Sequence, residues 1–156
     1  MNFKISPMKT TYLQEIKLSL TKTEEHPVQY KAVNASLDAA ELFRTLFADE
    51  IGMFESVFCI YLNQKNAPIG WRKISQGGIS SSIVDVRLVL VPALNCLASG
   101  FILCHNHPSG NLNPSAEDRK ITQQLKEVGK IMSIKLLDHL IITEKSYFSF
   151  ADEGLI

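Results

Sequence analysis

Gly100-Phe101-Ile102-Leu103-Cys104-His105-Asn106-His107-Pro108-Ser109-Gly110 runs on through Asn111-Leu112-Asn113-Pro114-Ser115-Ala116-Glu117-Asp118. The apolar start reads as a buried strand. His105 and His107 are two apart, so on a strand that stays extended they point to the same side. Pro108 and Gly110 then stop the strand and force a turn. Pro114-Ser115 restarts order, and a helical pattern follows. Asp118 falls in the first turn of that helix, where the dipole favours a carboxylate that can face back toward the histidines.

Two imidazoles and one carboxylate with an open fourth position make a catalytic zinc site, in contrast to the closed four-ligand structural kind. Zinc held in this way brings the pKa of water down to about 7. Such a site also needs a base near the water and a donor for the developing oxyanion. Ser115-x-x-Asp118 is a capping box as well, which alone accounts for those two residues. The two readings are compatible, because a capped helix start would hold Asp118 rigidly.

Outward from this stretch, 156 residues make one domain, with residues 1–32 an N-terminal extension carrying a strand and residues 33–156 the metal-site core. A hydrophobic share of 46% with 21% charged residues is a globular mix. A formal net charge of zero gives no global pull on nucleic acid. Cys59, Cys96 and Cys104 are odd in number and sit in apolar runs, so they read as reduced thiols of a cytoplasmic protein. Cys104 would face away from His105, into the core. No leader peptide and no membrane-spanning run is expected.

In chain order, residues 12–20 read as a strand, residues 21–27 as a loop holding His26, and residues 30–33 as a short extended piece. Ser36 is the expected cap of a helix reaching residue 50, with Ala39, Leu42, Phe43, Leu46 and Phe47 on its apolar face. Residues 57–62 read as a buried strand and residues 68–75 as its hairpin partner. Residues 76–82 form a Gly/Ser-rich loop. Leu88, Val91, Leu94 and Leu97 fit the buried face of a helix interrupted by Pro92. After the site comes a helix from Ser115 with Ile121, Leu125, Val128 and Met132 inward, then strands over 134–143 and 147–150. The fold class is α/β (α+β), a mixed sheet flanked by helices.

A base should lie at the end of a strand beside the histidine strand. Glu55, just before the run from Ser56 to Leu62, qualifies. Its bland alternative is a solvent-facing charge at a strand entry. Glu50 is a rival, placed at a helix C-terminus where the dipole disfavours an acid.

His105-x-His107, seven residues, then Ser115-x-x-Asp118 resembles the JAMM motif of JAB1/MPN metalloproteases. The fuller string, with Asn106, Pro108, Ser109, Gly110 and Pro114, resembles the bacterial RadC family within that superfamily. The likeness runs from about Val33 to the C-terminus and takes in Gly78, Arg87, Thr122, Ile134, Leu137-Asp138-His139 and Ser149-Phe150. It implies a JAB/MPN, cytidine-deaminase-like fold with zinc on His105, His107 and Asp118. It also implies Glu55 as the general base and Ser115 as the oxyanion donor. The implied enzyme is a zinc metalloprotease-like hydrolase that cleaves a peptide or isopeptide bond of an unknown peptide or protein. The family name carries an association with DNA repair. Members commonly have an N-terminal helix-hairpin-helix-like region, which this chain is expected to lack, so direct nucleic-acid contact stays open. Homo-oligomerisation stays open as well. Val86 and Leu88 flank Arg87 where the family has a proline and an acid. Asp138 and His139 are candidates for supporting the ligands or the sheet end.

Three rival classes stand beside this reading. The letters His-Asn-His name a nuclease motif, but there the residues are spread over a ββα unit. A zinc deaminase would need His-x-Glu and Pro-Cys-x-x-Cys, both absent. A non-catalytic, metal-binding interaction module in DNA repair or mobile-element biology remains the alternative.

Overall fold

The computed structural model describes residues 19–21, 32–48, 50–77 and 84–156. The expected strand over 12–20, the loop with His26, the extended piece at residue 30 and Gly78 lie wholly or mostly outside these. The described elements are α1 (Ser36–Leu46), β1 (Ser56–Leu62), β2 (Pro68–Gln76), α2 (Val86–Asn95), β3 (Gly100–Asn106), α3 (Ala116–Ile131), β4 (Lys135–Ile142) and β5 (Tyr147–Ser149).

The strands form one mixed sheet in the order β2-β1-β3-β4-β5. β1 is antiparallel to both β2 and β3, whereas β3 and β4 run parallel across the α3 crossover. β1 and β3 are buried along their whole length, which explains why both read as continuous apolar runs. Odd positions of the two strands (Val57, Cys59, Tyr61, Phe101, Leu103) pack with Val89 and Ala93 of α2 and Leu125 of α3. Even positions (Phe58, Ile60, Leu62, Ile102, Cys104) pack with Ala39, Phe43 and Leu46 of α1. The α/β (α+β) reading therefore holds, with α1 on one face and α2 and α3 on the other. Cys104 faces α1, away from the histidine face, as its strand position requires.

Local expectations for α1, α2 and α3 are corrected. Ser36 is the first residue of α1, and Ala35 is its N-cap. The orphan N–H groups of Asn34 and Ala35 go to the Asp38 carboxylate, while the Ser36 hydroxyl is taken up by Asp152. The inward face of α2 is Val89, Leu90 and Ala93, whereas Leu88, Val91, Leu94 and Leu97 are exposed. The helix is apolar nearly all round, so a three-residue spacing could not choose its buried side. It starts at Val86, capped by the Asp85 carboxylate on Arg87 N, and runs through Pro92. Met132, expected inward on α3, is its exposed C-cap.

Gly129 sets how closely α3 approaches the entry to β4. A Cβ there would lie 2.4 Å from the Ile134 carbonyl oxygen, a backbone atom that cannot swing aside. Gly129→Ala should therefore lower stability by about 1–3 kcal/mol, as overpacking does, read as an earlier urea midpoint. An unchanged midpoint would mean that α3 can shift freely on the sheet.

Candidate metal centre

Register places the site. Val57 of β1 stands opposite His105 of β3. Glu55 is two residues before Val57, on the same side of an extended strand. Beyond the end of β3 the ladder continues, since His107 N donates to Ile142 O at 3.0 Å. That keeps His107 on the His105 side. Gly110, at φ +80°, then turns the chain, its N–H donating to His107 O. Ser115 caps α3 in a full capping box: its hydroxyl accepts from Asp118 N, and Asp118 Oδ2 accepts from Ser115 N. This aims the other carboxylate oxygen at the histidines.

His105 Nε2 lies 3.0 Å from His107 Nε2 and 3.2 Å from Asp118 Oδ1. All three ligand atoms fall within 4.8 Å of one another. Ligands each about 2.0–2.1 Å from a shared tetrahedral ion would stand ~3.3 Å apart, so the two edges from His105 Nε2 fit. The chemistry of the donors fits as well. His107 Nδ1 lies 2.5 Å from the Asn111 carbonyl, which can only accept, so Nδ1 carries the proton. In the neutral ring Nε2 is then bare and faces the other two ligand atoms. The residues present suit a divalent ion that takes two nitrogens and one oxygen.

Burial tunes the same atoms. It pushes His105 down to about 4, with Asp118 opposing and His107 assisting. Burial also pushes the Asp118 carboxyl up, but His105 and the bonds from Ser115 outweigh it and hold the group below the usual range. His139 is driven well below the ordinary imidazole value, first by burial and then by His105. Both rings therefore stay neutral at pH 7, as metal ligation requires of His105.

A cleft of about 280 Å³ opens beside these groups, lined by Glu55, Val57, His105, Asp118, Lys120 and His139 among others. Glu55 thus shares the cleft with two of the three expected ligands. Its rival Glu50 is held elsewhere, bonded to Lys73 Nζ at 2.6 and 2.8 Å and to the Ser56 hydroxyl. Ser115 sits at the cap, and its hydroxyl donates to Asp118 Oδ2 at 2.6 Å. Asp138 is on the opposite face of the sheet, where it accepts from Ser149 Oγ and Ala151 N. His139 is on the site face, 3.0 Å from His105 Nδ1.

Asn106 has a role that sequence reasoning missed. Fully buried, its Oδ1 accepts from Ser56 N at 2.7 Å. Its amide donates to Ile51 O at 2.8 Å and Phe54 O at 2.7 Å. It thereby ties the segment that carries Glu55 to the strand that carries the histidines. The signal was an amide-bearing side chain on the strand face opposite two histidines.

The family model described as a RadC-like JAB domain matches residues 33–155. Relatives include UPF0758 proteins of Flavobacterium johnsoniae, 42% identical over 90% of this chain, and of Porphyromonas gingivalis, 44% identical over 65%. A third, from Clostridium botulinum, is 44% identical over 62%. The chain spans 60%, 45% and 42% of the lengths of these three relatives, respectively. Among the described residues no helix is long and apolar enough to cross a membrane.

The histidine environment makes stability depend on pH. Without metal, His105 binds its proton near pH 4 in the fold and near 6.5 when unfolded. The unfolded chain holds more protons between those values, so stability rises with pH there and is lost as pH falls through the window. His139, shifted in the same direction, adds to the loss. His105 by itself should make the metal-free protein ~3 kcal/mol less stable near pH 4 than at pH 7, read as the difference in urea unfolding between wild type and a His105 variant across that window. A flat profile would contradict this burial of His105.

Proposed function

The chain belongs to the RadC-like JAB domain family, and from that premise we propose that it is a zinc-dependent hydrolase cleaving a peptide or isopeptide bond. The observation that carries the reading is the convergence of His105 Nε2, His107 Nε2 and an Asp118 oxygen, beside a cleft that His105, Asp118 and Glu55 line together. His105, His107 and Asp118 would hold the ion. Zinc, when bound, supplies Lewis acidity toward a carbonyl oxygen and water acidic enough to attack near neutral pH.

The protein's side chains do the rest. Glu55 accepts the proton of the attacking water and returns it to the leaving amine, so one water is added across the amide. The Ser115 hydroxyl turns from Asp118 Oδ2 to donate to the oxyanion, and the Ser115 N–H bond keeps the carboxylate in place meanwhile. Asn106 keeps Glu55 at the cleft by fixing the backbone on either side of it, at Phe54 O and Ser56 N. The substrate would be a peptide or protein. Free thiols at Cys59, Cys96 and Cys104 accord with a reducing cytoplasm. The link to DNA repair rests on the family resemblance.

Glu55→Gln separates binding from turnover. Against a panel of peptide and isopeptide substrates, the variant should keep the wild-type zinc content while kcat/KM falls by about 10²–10⁴. Undiminished turnover would remove Glu55 as the base. Wild-type protein that carries zinc yet cleaves no member of the panel would favour the interaction-module reading.

A further inference from the structure

Behind the expected ligands lies a second row of polar groups. Thr122, one helical turn after Asp118 in α3, is buried, with its Oγ1 2.6 Å from Asp118 O and 2.7 Å from His139 Nδ1. A hydroxyl has one hydrogen, and a carbonyl oxygen can only accept. The Thr122 hydrogen therefore goes to Asp118 O, and Oγ1 accepts from His139 Nδ1–H. A neutral imidazole has a single N–H, so His139 Nε2 is bare. It lies 3.0 Å from His105 Nδ1 and accepts the proton there. His105, with its one proton on Nδ1, is left with a bare Nε2 facing His107 and Asp118.

The same assignment follows from the metal end. Ligation through His105 Nε2 needs that nitrogen bare, which puts the proton on Nδ1 and makes His139 the acceptor. The two derivations meet with one donor and one acceptor at every link. His139 cannot easily turn out of the relay. Its ring is stacked on Phe150 at 4.7 Å and 10°, and its backbone oxygen accepts from Phe150 N.

We propose that Thr122 and His139 are positioning residues that lock the tautomer of His105 and present its Nε2 to the metal. The proposal rests on the metal reading above. The relay starts at the backbone of one ligand, Asp118, and ends on the ring of another, His105. It thereby couples α3 to β3 through β4, and the proton arrangement at the site is set before any ion arrives.

Two readouts test this, and one needs no metal. Long-range ¹H–¹⁵N spectra of the metal-free protein should show His105 protonated at Nδ1 and His139 likewise. In Thr122→Val, which keeps the shape and removes the hydroxyl, the His105 proton should be partly redistributed to Nε2. Zinc affinity, measured by competition with a chromophoric chelator, should fall about 10–100-fold. Thr122→Ser should restore both. A wild-type His105 protonated at Nε2 would overturn the proposal, as would a Thr122→Val protein with wild-type tautomer and zinc affinity. Failure of the metal reading is distinguishable: wild-type protein that takes up no zinc overturns the metal-presenting part, and the tautomer signals alone then support or overturn the lock.

Discussion

The hydrogen-bond ladder that holds β3 between β1 and β4 is the constraint on which the site depends. β1 sets Val57 opposite His105, and β4 sets His139 beside Leu103, one residue pair below the ligand. A one-residue slip in either pairing would turn a whole set of side chains to the other face. Glu55 or His139 would then point at α1 instead of into the cleft. The core on both faces opposes such a slip, since Cys59, Leu62, Leu103 and Cys104 are fully buried. Packing energy spread along the strands thus fixes a few polar atoms at one end of them.

Those polar atoms are costly to bury, and the structure offsets the cost by pairing them. His105, Asn106, Thr122, Asp138, His139 and Ser149 are all buried. Among the described residues no buried side-chain nitrogen or oxygen lacks a partner. An unpaired buried group costs about 1–3 kcal/mol, so a network of this size is tolerable only when complete. It divides by face. On the α1 side, Asn106 ties down the segment bearing Glu55, and Asp138 gathers the chain around β5. On the other side, the chain from Thr122 to His105 backs the ligands. Strand alternation is what keeps the two sets apart along β3 and β4.

Much of this was legible in the residues. The shared side of His105 and His107 followed from a two-residue repeat, and the aim of Asp118 from its place in the first turn of α3. The inward set of α1 followed from helical spacing, apart from Leu42, which is only partly buried. What escaped was set by distant neighbours. The residues favoured Glu55 over Glu50 only through a helix-dipole argument and the family resemblance; that Lys73 of β2 holds Glu50 could not be read from them. The buried side of α2 depends on how it lies against β2 and α3, and an all-round apolar helix carries no mark of that. Ser36 resembled a cap, but Asp152, more than a hundred residues away, takes its hydroxyl. Asn106 looked incidental between two histidines because its partners lie some fifty residues earlier.

The central claim is that His105, His107 and Asp118 form one metal site. Metal analysis of the purified protein beside a His107→Ala variant tests it most directly. About one zinc per chain, lost in the variant, is the result this account predicts. A wild-type protein without metal, even after incubation with zinc, would contradict it and leave the stretch from His105 to Asp118 as a capped turn at a sheet end.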